Sequence, residues 1–215
     1  MAPPHYWGEV DKVQRLLRKS ISRSSTRKQE VAIAGSSALL WYQREQRIGP
    51  SWKYPGDIDI FVCGNSATEY NNIVRKFIVD AYAVGHRAKK ASVYFPLYFT
   101  GIKKMEVTYL ELTGFSNIIS FVRYKDCKNI QEVIDGFDIN VCKVIYHIHE
   151  KRFEVETEVR EYIAAKKAKA NGIGFKKKGH PVKAELIRAM KTAKRIEKYS
   201  HRGFYFENAS GIAFI

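Results

Sequence analysis

No stretch of the 215-residue chain stays apolar for the ~18 residues that a membrane-spanning helix needs. The first ten residues, MAPPHYWGEV, lack the apolar core of a signal peptide. Cysteine is scarce as well. Cys63, Cys127 and Cys142 stand far apart, with neither a Cys-x-x-Cys nor a Cys/His ligand spacing. That pattern argues against a structural zinc site or a disulfide framework, and for three reduced, buried thiols. Internal repeats and low-complexity tracts are missing. These absences describe a soluble, intracellular (cytoplasmic) protein with no membrane partner. Negative charge is also in deficit: 22 Asp and Glu face 37 Lys and Arg, for a net charge of +15. Such an excess favours a polyanionic partner, most simply nucleic acid, because binding releases condensed counterions.

What is present suits one ordinary core with an appended helical piece. Val10, Val13, Leu16, Leu17 and Ile21 recur at helical spacing opposite Lys12, Arg15, Arg18 and Lys19, which predicts an amphipathic helix over 9–21. Ser22 to Gln29 is polar and reads as a connector. The apolar run Val31–Ala34 reads as a strand that breaks at Gly35-Ser36 into a helix over 37–45. Asp57-Ile58-Asp59-Ile60-Phe61-Val62 reads as a buried strand. Ser66 with Glu69 forms a capping box ahead of Tyr70, Ile73, Val74, Phe77, Ile78 and Ala81, a helix that Gly85 ends. His86–Ser92 reads as a basic loop. Val93–Thr100 and Met105–Leu112 read as a hairpin, with Pro96 marking an edge or bulge, and Ile118–Arg123 as a further strand. Gly136 breaks a short helical turn and opens a strand, Phe137–Tyr146, before a turn at His147–Arg152. His147 and His149 lack the third ligand that a transition-metal site needs.

The last 65 residues differ, with sixteen Lys and Arg against seven Asp and Glu from Lys151 onward. A helix is predicted over 156–170, stopped by Asn171-Gly172, and a second from Pro181 to about Tyr199. In the second, Leu186, Ile187, Met190, Ala193 and Ile196 make an apolar seam, and Arg188, Lys191, Arg195 and Lys198 a basic stripe beside it. The loop between them, Gly172–His180, adds three consecutive lysines. Its Gly-x-Gly is too short for a dinucleotide fingerprint.

Two features carry chemistry. Asp57 and Asp59 point the same way from one strand, about 7 Å apart, and two such carboxylates repel unless a cation lies between them. Gly35-Ser36, between a strand and a helix start, offers free backbone N–H groups to an anion, with Gly35 permitting close approach. A phosphate holder and a metal holder in neighbouring segments are the minimum apparatus for a nucleoside triphosphate.

Gly35-Ser36 followed by Asp57-Ile58-Asp59-Ile60 resembles the signature of the nucleotidyltransferase superfamily, which includes DNA polymerase beta, tRNA CCA-adding enzymes and poly(A) polymerases. The resemblance implies an α/β (α+β) fold with a mixed sheet, flanking helices and a basic helical C-terminal part. Residues 1–155 would be the catalytic core and 156–215 a basic helical region packed on it. It implies two Mg²⁺ (or Mn²⁺) ions on Asp57 and Asp59, and a third acid on a later strand. Asp138 is the candidate, with Asp135, Glu106 and Glu111 as rivals. Gly35, Ser36 and Ser37 would hold the β- and γ-phosphates of an NTP, and Lys191, Lys194 and Lys198 would contact the nucleotide. The gap from Ser36 to Asp57 exceeds that of compact members, so Arg47–Gly56 would form a loop over the site, with Trp52 and Tyr54 placed to stack on a base. The implied activity is transfer of an NMP to a hydroxyl acceptor with loss of pyrophosphate; the charge favours a nucleic-acid acceptor, and an RNA end is expected over DNA. The alternatives are a nucleic-acid-binding protein with little or no catalysis, and a toxin-like enzyme that nucleotidylates a protein or tRNA.

Overall fold

The computed structural model describes residues 4–22, 30–49, 52, 56–64, 66–95, 105–125, 127–170 and 182–207. Its elements are α1 (Pro4–Ser22), β1 (Glu30–Ala34), α2 (Ser36–Glu45), β2 (Ile58–Cys63), α3 (Ala67–Ala83), β3 (Ala88–Phe95), β4 (Met105–Leu112), β5 (Ile119–Tyr124), α4 (Ile130–Ile134), β6 (Ile145–His147), β7 (Arg152–Glu154), α5 (Thr157–Ala164), β8 (Lys167–Ala168), α6 (Val182–Ser200) and β9 (Tyr205–Phe206). The fold is mixed α+β. Seven strands form one sheet in the order β3-β4-β5-β2-β1-β6-β7. Only the β2–β5 pair is parallel; the other pairs are antiparallel. β8 and β9 form a separate parallel pair.

The two faces of the sheet carry different layers. On β2, Ile58, Ile60 and Val62 join the large apolar cluster with Val13 and Leu17 of α1, Leu39 and Leu40 of α2, and Ile73 and Phe77 of α3. Phe61 and Cys63 point the other way, into a smaller cluster with Ala32, Ala34, Val122 and the α4 residues Ile130, Val133 and Ile134. Alternation along the strand dictates this split. The large cluster also takes in Ile163, Ala168, Ile196, Tyr199, Phe204 and Phe206. No helix of the described residues is long and apolar enough to cross a membrane.

Buried polar groups tie α1 to this frame. Asp80 of α3 accepts a hydrogen bond from Ser20 Oγ at 3.1 Å and pairs with Lys19 at 3.0 Å. Glu9, also buried, accepts from Ser116 and Asn117, each at 2.8 Å. The expected apolar face of α1 is buried throughout, and the Ser66–Glu69 capping box forms. The three cysteines are free and buried.

Several expectations change. Phe137–Tyr146 is no continuous strand: Ile139 makes an isolated antiparallel bridge to Ala170, a 3-10 turn spans Asn140–Cys142, and β6 begins at Ile145. The Asn140 side chain accepts from the backbone N–H groups of Val141 and Lys169, at 2.8 and 2.7 Å, and so competes with a sheet ladder. The helix predicted over 156–170 stops at Ala164. Lys166 turns left-handed (φ 53°), and Lys167–Ala168 then pairs with β9. The basic loop is mostly strand, because β3 begins at Ala88 and pairs with β4 along all eight residues. In α6, Met190 is exposed while Thr192, Ile196 and Tyr199 are buried, so the seam lies one step round from its predicted position. Pro96, the turn at 101–104, the connector over 23–29 and the lysine-rich loop over 172–180 lie outside the described residues.

Phe77 is fully buried, and its ring meets Phe121 edge-on at 5.2 Å. Phe77→Ala is expected to cost about 3–5 kcal/mol, against about 1 kcal/mol for Ser66→Ala, which loses only the cap. Urea denaturation of both variants checks that ordering.

Candidate functional site

The site forms where β1 ends and β2 begins, which antiparallel pairing places side by side. Asp59 faces away from the helix layer because Ile58 and Ile60 face into it. The register then sets its neighbours. Asp59 lies beside Ser120 of β5, and Ser120 beside Tyr109 of β4. The next row is Phe61, Val122 and Val107. These two rows floor a cleft of about 490 Å³.

Gly35 closes the near end. Its backbone (φ 76°, ψ −146°) is a conformation that side chains avoid, and this lets β1 turn sharply into α2. A Cβ added there would sit 3.8 Å from Asp59 Oδ2, an ordinary contact, so the demand for glycine is conformational rather than steric. No side chain caps α2, whose N-terminus lies beside the acids, and Ser36 lines the cleft. Ser37 has a different task. Its hydroxyl donates to the Asp57 carbonyl at 2.5 Å, pinning the loop that carries the first acid.

Opposite the floor runs α6. Lys191, Arg195 and Lys198 line the cleft at i, i+4 and i+7, as 3.6-residue periodicity requires, together with Tyr199. Lys194 is exposed and does not line the cleft. The Tyr199 hydroxyl is hydrogen-bonded to Ser36 and Cys142, and burial raises its pKa well above the ordinary value. Burial, then the nearby Arg202, lowers the pKa of Lys198.

Asp138 lines the same cleft but from a loop. Its Oδ2 accepts from Thr192 Oγ1 at 2.8 Å and forms an ion pair with Arg195 at 2.6 Å. The strand beside Asp59 offers Ser120, a hydroxyl. The rivals are engaged elsewhere: Glu106 with Arg123 at 3.0 Å, Glu111 with Lys89 at 3.5 Å, and Asp135 accepting from Gln131 at 2.7 Å. Among the described residues no three His, Cys, Asp or Glu side chains gather into a metal cage. Trp52 does not stack over the site. It is buried against Phe204, ring centroids 5.8 Å apart, with Arg202 5.1 Å from its ring centre. Tyr54 lies outside the described residues.

Charge in the cleft is arranged in opposition. Among the described residues neither Asp57 nor Asp59 accepts a side-chain hydrogen bond or forms an ion pair, while cations line the facing helix. Burial, and then the charge of Asp57, push the Asp59 carboxyl up to about 7, against the pull of Lys198 and Arg195. Burial and the same two acids raise the pKa of Tyr109. Tyr109, Ser120 and Tyr199 had no signature in the sequence, because strand register and helix placement brought them in. Arg195 was visible in the basic stripe, but its partner was not.

The Asp59 shift has a definite sign. Between about pH 4 and 7 the folded chain holds a proton that the unfolded chain has released. Stability therefore falls as pH rises through that window, and the penalty is complete above it. Asp59→Asn is expected to stabilise the protein by roughly 1–3 kcal/mol at pH 8 and by little at pH 4. Urea denaturation in EDTA at both pH values tests this; an equal effect at the two pH values would refute the shift.

Comparison with known families corrects the superfamily resemblance. The model that matches, over residues 9–166, is described as "Gad2: Gabija anti-defense 2 family protein". Its span includes both Gly35-Ser36 and Asp57-x-Asp59, the motifs on which the nucleotidyltransferase resemblance rested, and stops short of α6. No curated protein matches the sequence. With most of its length inside that match, the chain belongs to the Gad2 (Gabija anti-defense 2) family.

Proposed function

We propose that the cleft binds a nucleoside triphosphate with a divalent cation, Mg²⁺ or Mn²⁺, and that the protein transfers the NMP part to a hydroxyl acceptor with release of pyrophosphate. One observation carries the reading: two adjacent carboxylates face three cationic side chains and an uncapped helix N-terminus across a single cleft. The acids fit an ion. Two neighbouring carboxylates with no cationic partner among the described residues, one held near pH 7 by its surroundings, gain most from a cation between them. Asp57 and Asp59 would hold it, and Mg²⁺ commonly takes one or two carboxylates with substrate phosphates completing its shell. Bound there, it would neutralise charge on the phosphate oxygens.

The chain's own groups divide the remaining work. The N-terminal N–H groups of α2 and the Ser36 hydroxyl receive the terminal phosphates. Lys191 and Lys198 offset their charge from the opposite wall. Arg195 presents a planar fork suited to two phosphate oxygens, for which Asp138 now stands in. The net charge of +15 favours a nucleic-acid acceptor, and we propose RNA. We set this activity in the countering of a defence system, a reading supported by the family's description, Gabija anti-defense. We place it in the cytoplasm, where NTPs and RNA are available.

A second reading, a protein that holds nucleotide or nucleic acid without turnover, is favoured by the Asp138–Arg195 pair, which engages the third acid of the cleft and leaves Asp57 and Asp59 to work.

Each α-labelled NTP, with Mg²⁺ or Mn²⁺, is incubated with RNA, single-stranded DNA or cell protein. Label is expected on RNA. In Asp57→Asn it should fall at least about 100-fold, about 2.7 kcal/mol of barrier. Retained nucleotide binding with no label in any pool would replace the transferase by the second reading. Absence of both binding and label would end both.

A further inference from the structure

The floor of the cleft holds two hydroxyls that phosphate and ion binding leave unused. Ser120 is 2 % exposed and faces the cleft, and its Oγ has no hydrogen-bond partner among the described residues. A hydroxyl shut away from water without a partner is costly, and few are tolerated in native proteins. Ser120 has Asp59 on one side and Tyr109 on the other, both held by the sheet register. Tyr109 is part-buried in the same row and lines the same cleft. Beyond this polar row the floor turns apolar with Phe61, Val122 and Val107. The order across the cleft is therefore anion site, hydroxyl row, apolar floor. A nucleotide has the same order: phosphate, sugar, base.

We propose that Ser120 and Tyr109 form a sugar-hydroxyl subsite, hydrogen-bonding the ribose of a ribonucleotide whose base lies on Phe61, Val122 and Val107. This rests on the reading of the cleft as a nucleotide site and adds ribose selectivity to it. Serine and tyrosine hydroxyls each donate and accept, which matches the dual character of a sugar hydroxyl. The Ser120 hydroxyl is shielded from bulk water, so only a small polar group entering between Asp59 and Tyr109 pairs with it. A site that has buried a hydroxyl for this purpose discriminates against the analogue that lacks the matching group.

Calorimetric titration of the full chain with Mg²⁺ and ATP, 2′-deoxy-ATP or inorganic triphosphate tests this, alongside Ser120→Ala and Tyr109→Phe. Wild-type protein is expected to bind ATP about tenfold more tightly than 2′-deoxy-ATP, with the ratio falling to about twofold or less in Ser120→Ala. Triphosphate should bind all three proteins alike. Ligand-free Ser120→Ala loses no hydrogen bond to another described residue and should melt no lower than wild type; if it does melt lower, the ATP ratio in Tyr109→Phe decides. Equal affinity for the two nucleotides, or a ratio unchanged in both variants, overturns the sugar subsite and leaves the nucleotide reading standing. If neither ATP nor triphosphate binds wild type, the nucleotide reading itself falls, and the subsite with it.

Discussion

The alternation of β2 is the constraint from which the cleft follows. Ile58, Ile60 and Val62 must bury against α1, α2 and α3, so Asp59 and Phe61 have only the other face available. A slip of one residue would drive a carboxylate into the main core and three aliphatic side chains out of it. Because burial holds β2 in place, its neighbours inherit the register. β1 ends beside the acids with Gly35, β5 contributes Ser120, and β4 contributes Tyr109. The site is thus a by-product of packing on the opposite face.

That arrangement creates an electrostatic problem which α6 only partly answers. Lys198 and Arg195 pull the Asp59 carboxyl down, while burial and Asp57 push it up, and the result stays near 7. Arg195 is diverted, because its close partner is Asp138, with Thr192 of the same helix supporting the pair. The loop carrying Asp138 is held in turn by the Asn140 side chain, which accepts from the backbone N–H groups of the adjacent Val141 and of Lys169 in the segment after α5. Charge within the cleft and the loss of the predicted strand over 137–146 therefore have a common local cause.

Local signals were legible where local physics is decisive. The buried face of α1, the capping box at Ser66–Glu69 and the Gly35 turn depend on spacing and backbone conformation within a few residues. Misreadings came where one element's fate depends on a distant one. Lys167–Ala168 is strand because β9 arrives 38 positions later, and β3 starts early because β4 pairs with all of it. Glu106 looks like a spare acid until Arg123 of the next strand is placed 3.0 Å away. Trp52 looks available for stacking until Phe204 and Arg202 close over it.

The sequence by itself determined the mixed α+β class, the same-face pair Asp57 and Asp59, the glycine turn beside them and the basic face of the last helix. Each of these is a matter of periodicity or residue chemistry along one element. Tertiary structure alone decided that these pieces share one cleft, that Ser120 stands beside Asp59, and that Arg195 neutralises Asp138. Strand register and helix placement minimise the burial cost of the whole chain, so no single segment carries that information.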